Sequence, residues 1–257
     1  MTLITALRSI LFNILFYGVW TPLVCLCMAP CLLFPRPFTV WVADFYQRGT
    51  YLLERFVLGL DYEIRGIENR PPHGQPYIAA AKHYSAYETL KLYRLFKDPT
   101  VVLKRELLWI PVFGWFLKKL DVIAIDRGNR ESAMASLIAG AQRMRDDNRP
   151  IVIFPQGTRV PVDAATRQKP YKGGIVKLYV ATSLPIVPVA MNSGLYWPRN
   201  AFWKKPGKVV FEFLPPIPPG LAPAEVMAAL EERIETASNR LVEEGRQAIA
   251  VKEGKTG

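Results

Sequence analysis

Two histidines occur in the chain, and they stand in different settings. His73 lies in Pro71-Pro72-His73-Gly74-Gln75-Pro76, a turn-rich stretch that reads as a solvated loop. His83 follows the short apolar run Tyr77–Ala81, and Ser85-Ala86-Tyr87-Glu88 then opens a helical pattern. A side chain at such a strand-to-helix switch sits at the carboxyl end of a sheet, where α/β proteins build their sites. A neutral imidazole there can take the proton from a hydroxyl as its oxygen attacks a carbonyl carbon. A carboxylate on the other ring nitrogen would hold the tautomer and stabilise the imidazolium. Glu88 is the candidate carboxylate. On a regular helix the spacing of the two residues sets them about 140° apart, so they meet only if His83 lies in the turn ahead of the helix. Ser85-x-x-Glu88 is the sequence of a capping box and supports that placement, but it also allows Glu88 to be no more than a cap. Ser85 is an alternative nucleophile, although the cap already gives its hydroxyl a use.

A second group follows the apolar run Ile151–Phe154: Phe154-Pro155-Gln156-Gly157-Thr158-Arg159. Gly157 permits close backbone approach, Thr158 offers a hydroxyl, and the Arg159 guanidinium is a planar fork suited to phosphate. Lys172-Gly173-Gly174 adds a second cation beside a flexible turn. A lone Gly-Thr-Arg also fits an ordinary solvated surface.

The elements that must position these residues follow from periodicity. Apolar runs at Tyr77–Ala81, Thr100–Leu103, Val122–Ile125, Ile151–Phe154, Ile186–Ala190 and Val209–Leu214 predict strands. Helical patterns fall around 85–97, 130–146 and 173–182, and a final helix over about 223–248 opens on Pro223. The alternation predicts an α/β fold: a mixed, largely parallel sheet flanked by helices. We expect residues 61–250 to form this domain, with 251–257 a flexible tail. Residues 1–60 read as an N-terminal apolar, membrane-associated helical segment. From Ser9 to Phe34 only the three thiols and Tyr17 can ionise, a run longer than the roughly 20 residues that cross a bilayer. Pro22 and Pro30 interrupt it, so a kinked spanning helix and a re-entrant pair both remain open. A secretory signal fits poorly, because no small-x-small site closes the run. Arg36 and Arg48 beyond it favour a domain on the cytoplasmic side, although Arg8 lies before it. Residues 38–60 form an amphipathic helix that either lies among headgroups or packs on the core.

The formal charge of +11 calls for an anionic partner. The basic residues are dispersed and fit no nucleic-acid-binding motif, so no nucleic acid is expected. Cys25, Cys27 and Cys31 crowd one apolar stretch, which suits neither a disulfide framework nor zinc, and no metal centre is expected.

Together these segments resemble the glycerolipid acyltransferases of the lysophosphatidic acid acyltransferase family, in its bacterial type. The likeness spans about residues 75–195. His83-Tyr84-Ser85-Ala86-Tyr87-Glu88 is similar to the family's His-x4-Asp motif. Lys104-Arg105-Glu106-Leu107, Ile110–Gly114 and Ile123-Ala124-Ile125-Asp126-Arg127 resemble its second block. Phe154–Arg159 resembles Phe-Pro-Glu-Gly-Thr-Arg, and Ile186-Val187-Pro188-Val189-Ala190 the fourth block. The resemblance implies His83 as general base and Glu88 as its charge partner. It implies Arg127, Gln156, Gly157, Thr158 and Arg159, with Lys104 and Lys172, as the substrate-binding set for a glycerol phosphate. Trp109, Phe113, Trp115 and Phe116 would line an acyl channel or pack in the core. The implied reaction moves an acyl group from acyl-CoA or acyl carrier protein to the 2-hydroxyl of 1-acyl-sn-glycerol 3-phosphate, forming phosphatidic acid in phospholipid biosynthesis. Beyond that co-substrate no cofactor is implied. The implied partners are the bilayer, a lysophospholipid acceptor and the acyl donor, at the cytoplasmic side of the cell inner membrane. Glu88 for aspartate, Gln156 for glutamate and Asp121 where glycine is common depart from the pattern. They leave two alternatives: another lysolipid acceptor, such as a lyso-aminolipid, or a non-catalytic membrane-binding relative.

Overall fold

The computed structural model describes residues 2–126, 128–164, 166–252 and 254, apart from the side chains of Arg167 and Lys252. The apolar N-terminus is one interrupted helical run. It comprises α1 (Leu3–Asn13), a π-helical turn (Ile14–Trp20), α2 (Thr21–Cys27) and a 3-10 segment (Ala29–Leu33). Pro22 sits in the first turn of α2, directly after the π-helical turn, where its missing N–H is tolerated. By length and composition Leu3–Leu33 is long and apolar enough to cross a bilayer. One stripe is buried, at Phe12, Phe16 and Val24, while Leu3, Ile4, Leu7, Leu11 and Leu26 stay exposed. Both ends are tied to the body that follows. Ser9 exchanges two 3.0 Å hydrogen bonds with the Lys204 backbone, and Asn13 donates to the Phe202 carbonyl at 3.1 Å. At the other end, Lys119 Nζ donates to the carbonyls of Leu32 and Phe34. Helix α3 (Arg36–Leu53) and a π-helical turn (Glu54–Leu58) follow, and left-handed Gly59 ends them.

Seven strands form the sheet: β1 (Leu60–Arg65), β2 (Ile78–Ala81), β3 (Thr100–Lys104), β4 (Ile123–Ile125), β5 (Ile151–Ile153), β6 (Ile186–Met191) and β7 (Gly207–Phe213). Their order is β1-β7-β6-β2-β5-β3-β4, and among the described residues only the β6–β7 pair is antiparallel. The intervening helices are α4 (Leu92–Leu95), α5 (Phe113–Lys119), α6 (Arg130–Asp146) and α7 (Gly174–Thr182), with α8 (Pro223–Lys252) closing the chain. The mixed, largely parallel α/β sheet expected from the sequence is present. The sequence reading did not include β1 or α5. The helix expected around 85–97 is far shorter: a 3-10 turn (Glu88–Lys91) leading into the single turn of α4. Helix α8 continues to Lys252; of the expected tail, Glu253 and residues 255–257 lie outside the described residues.

Strand β2 is central and buried on both faces. Ala79 and Ala81 face one core with Val152, Val187 and Val189. Ile78 and Ala80 face the other with Ile151, Ile153 and Ile186, beneath α6, α7 and α8. This two-sided burial overrides the weak strand propensity of alanine. Asp121, where the resemblance expects glycine, has φ +62°, in the left-handed region that glycine enters freely. Its carboxylate is held by Arg143 at 2.9 Å and Arg149 at 3.3 Å.

The helix α3 region and the segment after β2 are pinned by an ion pair between Glu54 and Lys91, both side chains wholly buried. The Lys91 ammonium also lies 4.3 Å above the Tyr87 ring. Burial pushes the Glu54 carboxyl up to about 7 even with Lys91 beside it. Lys91→Met would leave that carboxyl unpaired and raise it further. A carboxyl that is harder to ionise folded than unfolded costs stability as pH rises above its unfolded value of about 4.3. Lys91→Met is therefore expected to lose about 3–5 kcal/mol at neutral pH and clearly less at pH 5. Urea unfolding at the two pH values checks this; an equal loss at both would count against a buried, titrating Glu54.

Candidate active site

Parallel strands end at one edge of the sheet, so β2, β5 and β6 deliver their following loops to one place. The loop after β2 carries His83, that after β5 carries Phe154–Arg159, and that after β6 carries Ser193. Next to β5, β3 ends on Lys104.

His83 lies in the turn ahead of the helical segment, as the capping pattern requires. Its Nδ1 is 2.9 Å from Glu88 Oε1. The same oxygen accepts from the backbone N–H of Tyr84 and of Ser85, each at 2.7 Å. Glu88 Oε2 accepts from the Ser193 hydroxyl at 2.9 Å. The cap and the charge partner are thus one carboxylate, 2% exposed and fully hydrogen-bonded. Ser85 does not cap Glu88; its Oγ accepts from the Tyr87 N–H at 3.1 Å, and the residue is buried away from the cavity wall, unsuited to be a nucleophile. With Glu88 ionised, Nδ1 carries the imidazole proton and Nε2 keeps a lone pair. Nε2 has no hydrogen-bond partner among the described residues. The ring is set in plane by Phe154, stacked at 4.0 Å and 21°. The His83 carbonyl accepts from Val160 N–H at 2.9 Å, which joins the two motif loops.

The imidazole opens onto a cavity of about 930 Å³. Lys104, Gly157, Thr158, Arg159 and Lys172 line it together with His83. Gly157 has φ +66°, and a Cβ there would come 3.1 Å from Lys172 Nζ, so glycine lets the lysine lie against the loop. The Lys172 N–H donates to the Pro155 carbonyl at 3.0 Å. Three further cations on the wall, Arg130, Lys177 and Arg199, escaped the sequence reading. So did Ser193, which belongs to no motif block and meets Glu88 only through the adjacency of β2 and β6.

Two expected site residues need correction or restriction. Gln156 is not on the cavity wall. It is 4% exposed, and its amide donates to the Lys169 carbonyl at 2.9 Å, bracing the loop from behind. In the turn after β5, Pro155, Gly157, Thr158 and Arg159 line the cavity, and the Gln156 side chain alone turns into the protein to meet the Lys169 carbonyl. Arg127 lies outside the described residues.

Away from the cations the wall is apolar, with Leu103, Phe113, Phe116 and Leu120 from the domain. Trp109 and Trp115 do not line it; they are 77% and 54% exposed. Thr21, Val24, Cys25, Val42 and Tyr46 complete the wall from the N-terminal helices. One cavity therefore joins an imidazole, several cations and an apolar compartment.

The family model described as Acyltransferase matches residues 61–192. The chain is 36% identical over 212 residues to a 1-acyl-sn-glycerol-3-phosphate acyltransferase of Pseudomonas aeruginosa, covering 81% of this chain and 80% of that one. It is 30% identical over 205 residues to the enzyme of the same name from Saccharomyces cerevisiae, covering 79% of this chain and 64% of the yeast protein. The fold is similar to the crystal structure of the 1-acyl-sn-glycerophosphate acyltransferase PlsC from Thermotoga maritima, with a TM-score of 0.76 at 20% identity over 92% of this chain and 97% of that one. With the motif loops gathered at one sheet edge and these matches along the chain, the protein belongs to the acyltransferase family.

Proposed function

We propose that this protein transfers an acyl group from an acyl thioester to the 2-hydroxyl of 1-acyl-sn-glycerol 3-phosphate, forming phosphatidic acid. The observation that carries the reading is the His83 imidazole, oriented by Glu88 and opening onto a cavity that is cationic on one side and apolar on the other. A lysophosphatidic acid has the matching chemistry: a phosphate, a free hydroxyl and a hydrocarbon chain. The names of the Pseudomonas and yeast relatives point the same way.

In this reading Nε2 of His83 accepts the hydroxyl proton as that oxygen attacks the thioester carbonyl. The buried Glu88 carboxylate stabilises the imidazolium. The tetrahedral intermediate collapses with loss of the thiolate, which takes the proton from the imidazolium and leaves as the free thiol. Arg159 and Lys172, with Lys104 and Arg127, hold the phosphate, and Gly157 and Thr158 shape the loop around it. Phe113 and Phe116 face acyl carbon, while Trp109 and Trp115 are free for the lipid surface. The thiol carrier is coenzyme A or acyl carrier protein. Gln156 bears on the non-catalytic alternative: bonded behind the loop, it departs from the family pattern without touching the reacting groups.

Residues 1–60 serve as the membrane attachment and 61–250 as the catalytic domain, on the cytoplasmic face of the inner membrane, where such thioesters occur. The exposed apolar side of Leu3–Leu33 and the formal charge of +11 support attachment to an anionic leaflet. Because both ends of that run hydrogen-bond to the same domain, the reading favours a helix lying in one leaflet over one crossing both.

Three variants and a lysolipid panel test this. His83→Ala should lower turnover at least about a hundredfold while flotation with phosphatidylglycerol vesicles persists; unchanged turnover removes His83 from the mechanism. Glu88→Gln keeps an acceptor for the two backbone N–H groups and removes the charge, so turnover should fall about a hundredfold with the folded state retained; a fully active variant would reduce Glu88 to a cap. Arg159→Ala should raise the KM for lysophosphatidic acid about 10–100-fold, as expected for the loss of a charged hydrogen bond of about 1.5–3 kcal/mol, and spare neutral acceptors. In a lysolipid panel with labelled donor, transfer to a lyso-aminolipid but none to lysophosphatidic acid would replace the proposed acceptor.

A further inference from the structure

We infer that Glu235, on the C-terminal helix α8, is a positioning residue that holds the general base and the phosphate-binding cations in register; the inference rests on the functional reading above. Lys82 directly precedes His83, and its side chain is 2% exposed. Its Nζ lies 2.5 Å from Glu235 Oε1. Tyr171 directly precedes Lys172, and its hydroxyl donates to that same Oε1 at 2.7 Å. One carboxylate oxygen is therefore shared by the neighbour of the base and the neighbour of a cavity cation. The sequence separations are 153 and 64 residues, so only the tertiary fold creates the link.

The geometry explains why the link acts on the site without entering it. Lys82 continues β2: its N–H donates to the Val189 carbonyl at 3.0 Å, extending the ladder beyond Ala81. Strand alternation then puts Lys82 on the face of Ile78 and Ala80, under α8, and His83 on the opposite face. Tyr171 belongs to that same α8-side core. Glu235 thus grips two adjacent loops from behind, while their next residues line the cavity. A buried ammonium needs a carboxylate. Besides Glu235, the Lys82 Nζ meets the face of the Tyr84 ring, 5.3 Å away. Glu231, one turn earlier on α8, acts on the ammonium more weakly, so without Glu235 Lys82 would have to reach toward it or toward water and carry the end of β2 with it. Tyr171 would lose the acceptor that seats the Lys172 loop. Displacements of about 1 Å in reacting groups cost roughly a hundredfold in rate, so a partial loosening should be measurable.

The experiment compares Glu235→Ala, Glu235→Gln and Tyr171→Phe in the full chain. Glu235→Ala is expected to lower kcat about tenfold and raise the KM for lysophosphatidic acid about tenfold, because both loops loosen. Tyr171→Phe frees only the Lys172 loop and should raise KM with kcat within about threefold. Glu235→Gln keeps an acceptor oxygen for the Tyr171 hydroxyl but removes the charge that pairs with Lys82, so it should recover most of the KM and leave kcat lowered. In parallel, amide hydrogen exchange in Glu235→Ala should speed up at 82–88 and 171–175 together, with β6 unchanged. A Glu235→Ala variant within twofold of the parent in kcat and KM, or with unchanged exchange at either segment, overturns the proposal. So does a uniform loss of folded protein that Glu235→Gln does not relieve. Should the parent acylate no lysolipid, the functional reading falls, and the exchange comparison still decides the role of Glu235.

Discussion

The Glu88 carboxylate is the interaction on which the site depends. A carboxylate that is 2% exposed keeps its charge only if its lone pairs are matched by donors. Here Oε1 meets His83 Nδ1 and the N–H groups of Tyr84 and Ser85, and Oε2 meets the Ser193 hydroxyl. Two of these donors shape the turn, one is the imidazole that faces the cavity, and one arrives from the end of β6. The loop conformation, the imidazole tautomer and the pairing of β2 with β6 are therefore aspects of one satisfied charge. Glu88, which stands where the resemblance expects aspartate, meets all four of these donors.

Around this centre the protein separates two kinds of solvation. Arg159, Lys172, Lys104 and the additional Arg130, Lys177 and Arg199 gather positive charge on one part of the cavity wall. Phe113, Phe116, Leu120, Val24 and Val42 make the remainder apolar. A ligand that satisfies both must itself be amphipathic. The N-terminal helices have two faces for the same reason. Thr21, Val24 and Cys25 help close the cavity, and the outer stripe, with Leu3, Leu7 and Leu26, stays exposed. Hydrogen bonds from Ser9, Asn13 and Lys119 keep that segment on the domain, so the apolar compartment and the apolar outer surface are two sides of one element.

Several features were legible residue by residue. The meeting of His83 with Glu88 followed from a capping pattern that set the histidine one turn early. The lining role of Gly157 and Thr158 followed from their place after β5. Leu60-Asp61-Tyr62-Glu63-Ile64-Arg65 carries the alternation of a half-buried strand and was readable as β1, but its parallel pairing with β7 was not. Gln156 could not be placed from the motif, because one residue in a tight loop turns its side chain to the opposite side. Trp109, at the end of a 3-10 segment (Arg105–Trp109), and Trp115, on the short helix α5, failed as cavity residues for a related reason: aromatic type says nothing about direction on such short elements.

The sequence by itself determined the local chemistry: which strand ends in a histidine, which turn caps itself with a carboxylate, which loop pairs glycine with arginine, and which stretch is too apolar for water. These follow from interactions within a few residues, and propensity and spacing encode them directly. Only the tertiary structure decided the partners: Ser193 on Glu88, Glu235 beneath both motif loops, Arg130, Lys177 and Arg199 on the cavity wall, and the N-terminal helices as part of that wall. Strand order and helix packing set those contacts. They join residues up to 195 positions apart, a distance over which spacing along the chain carries no geometric information.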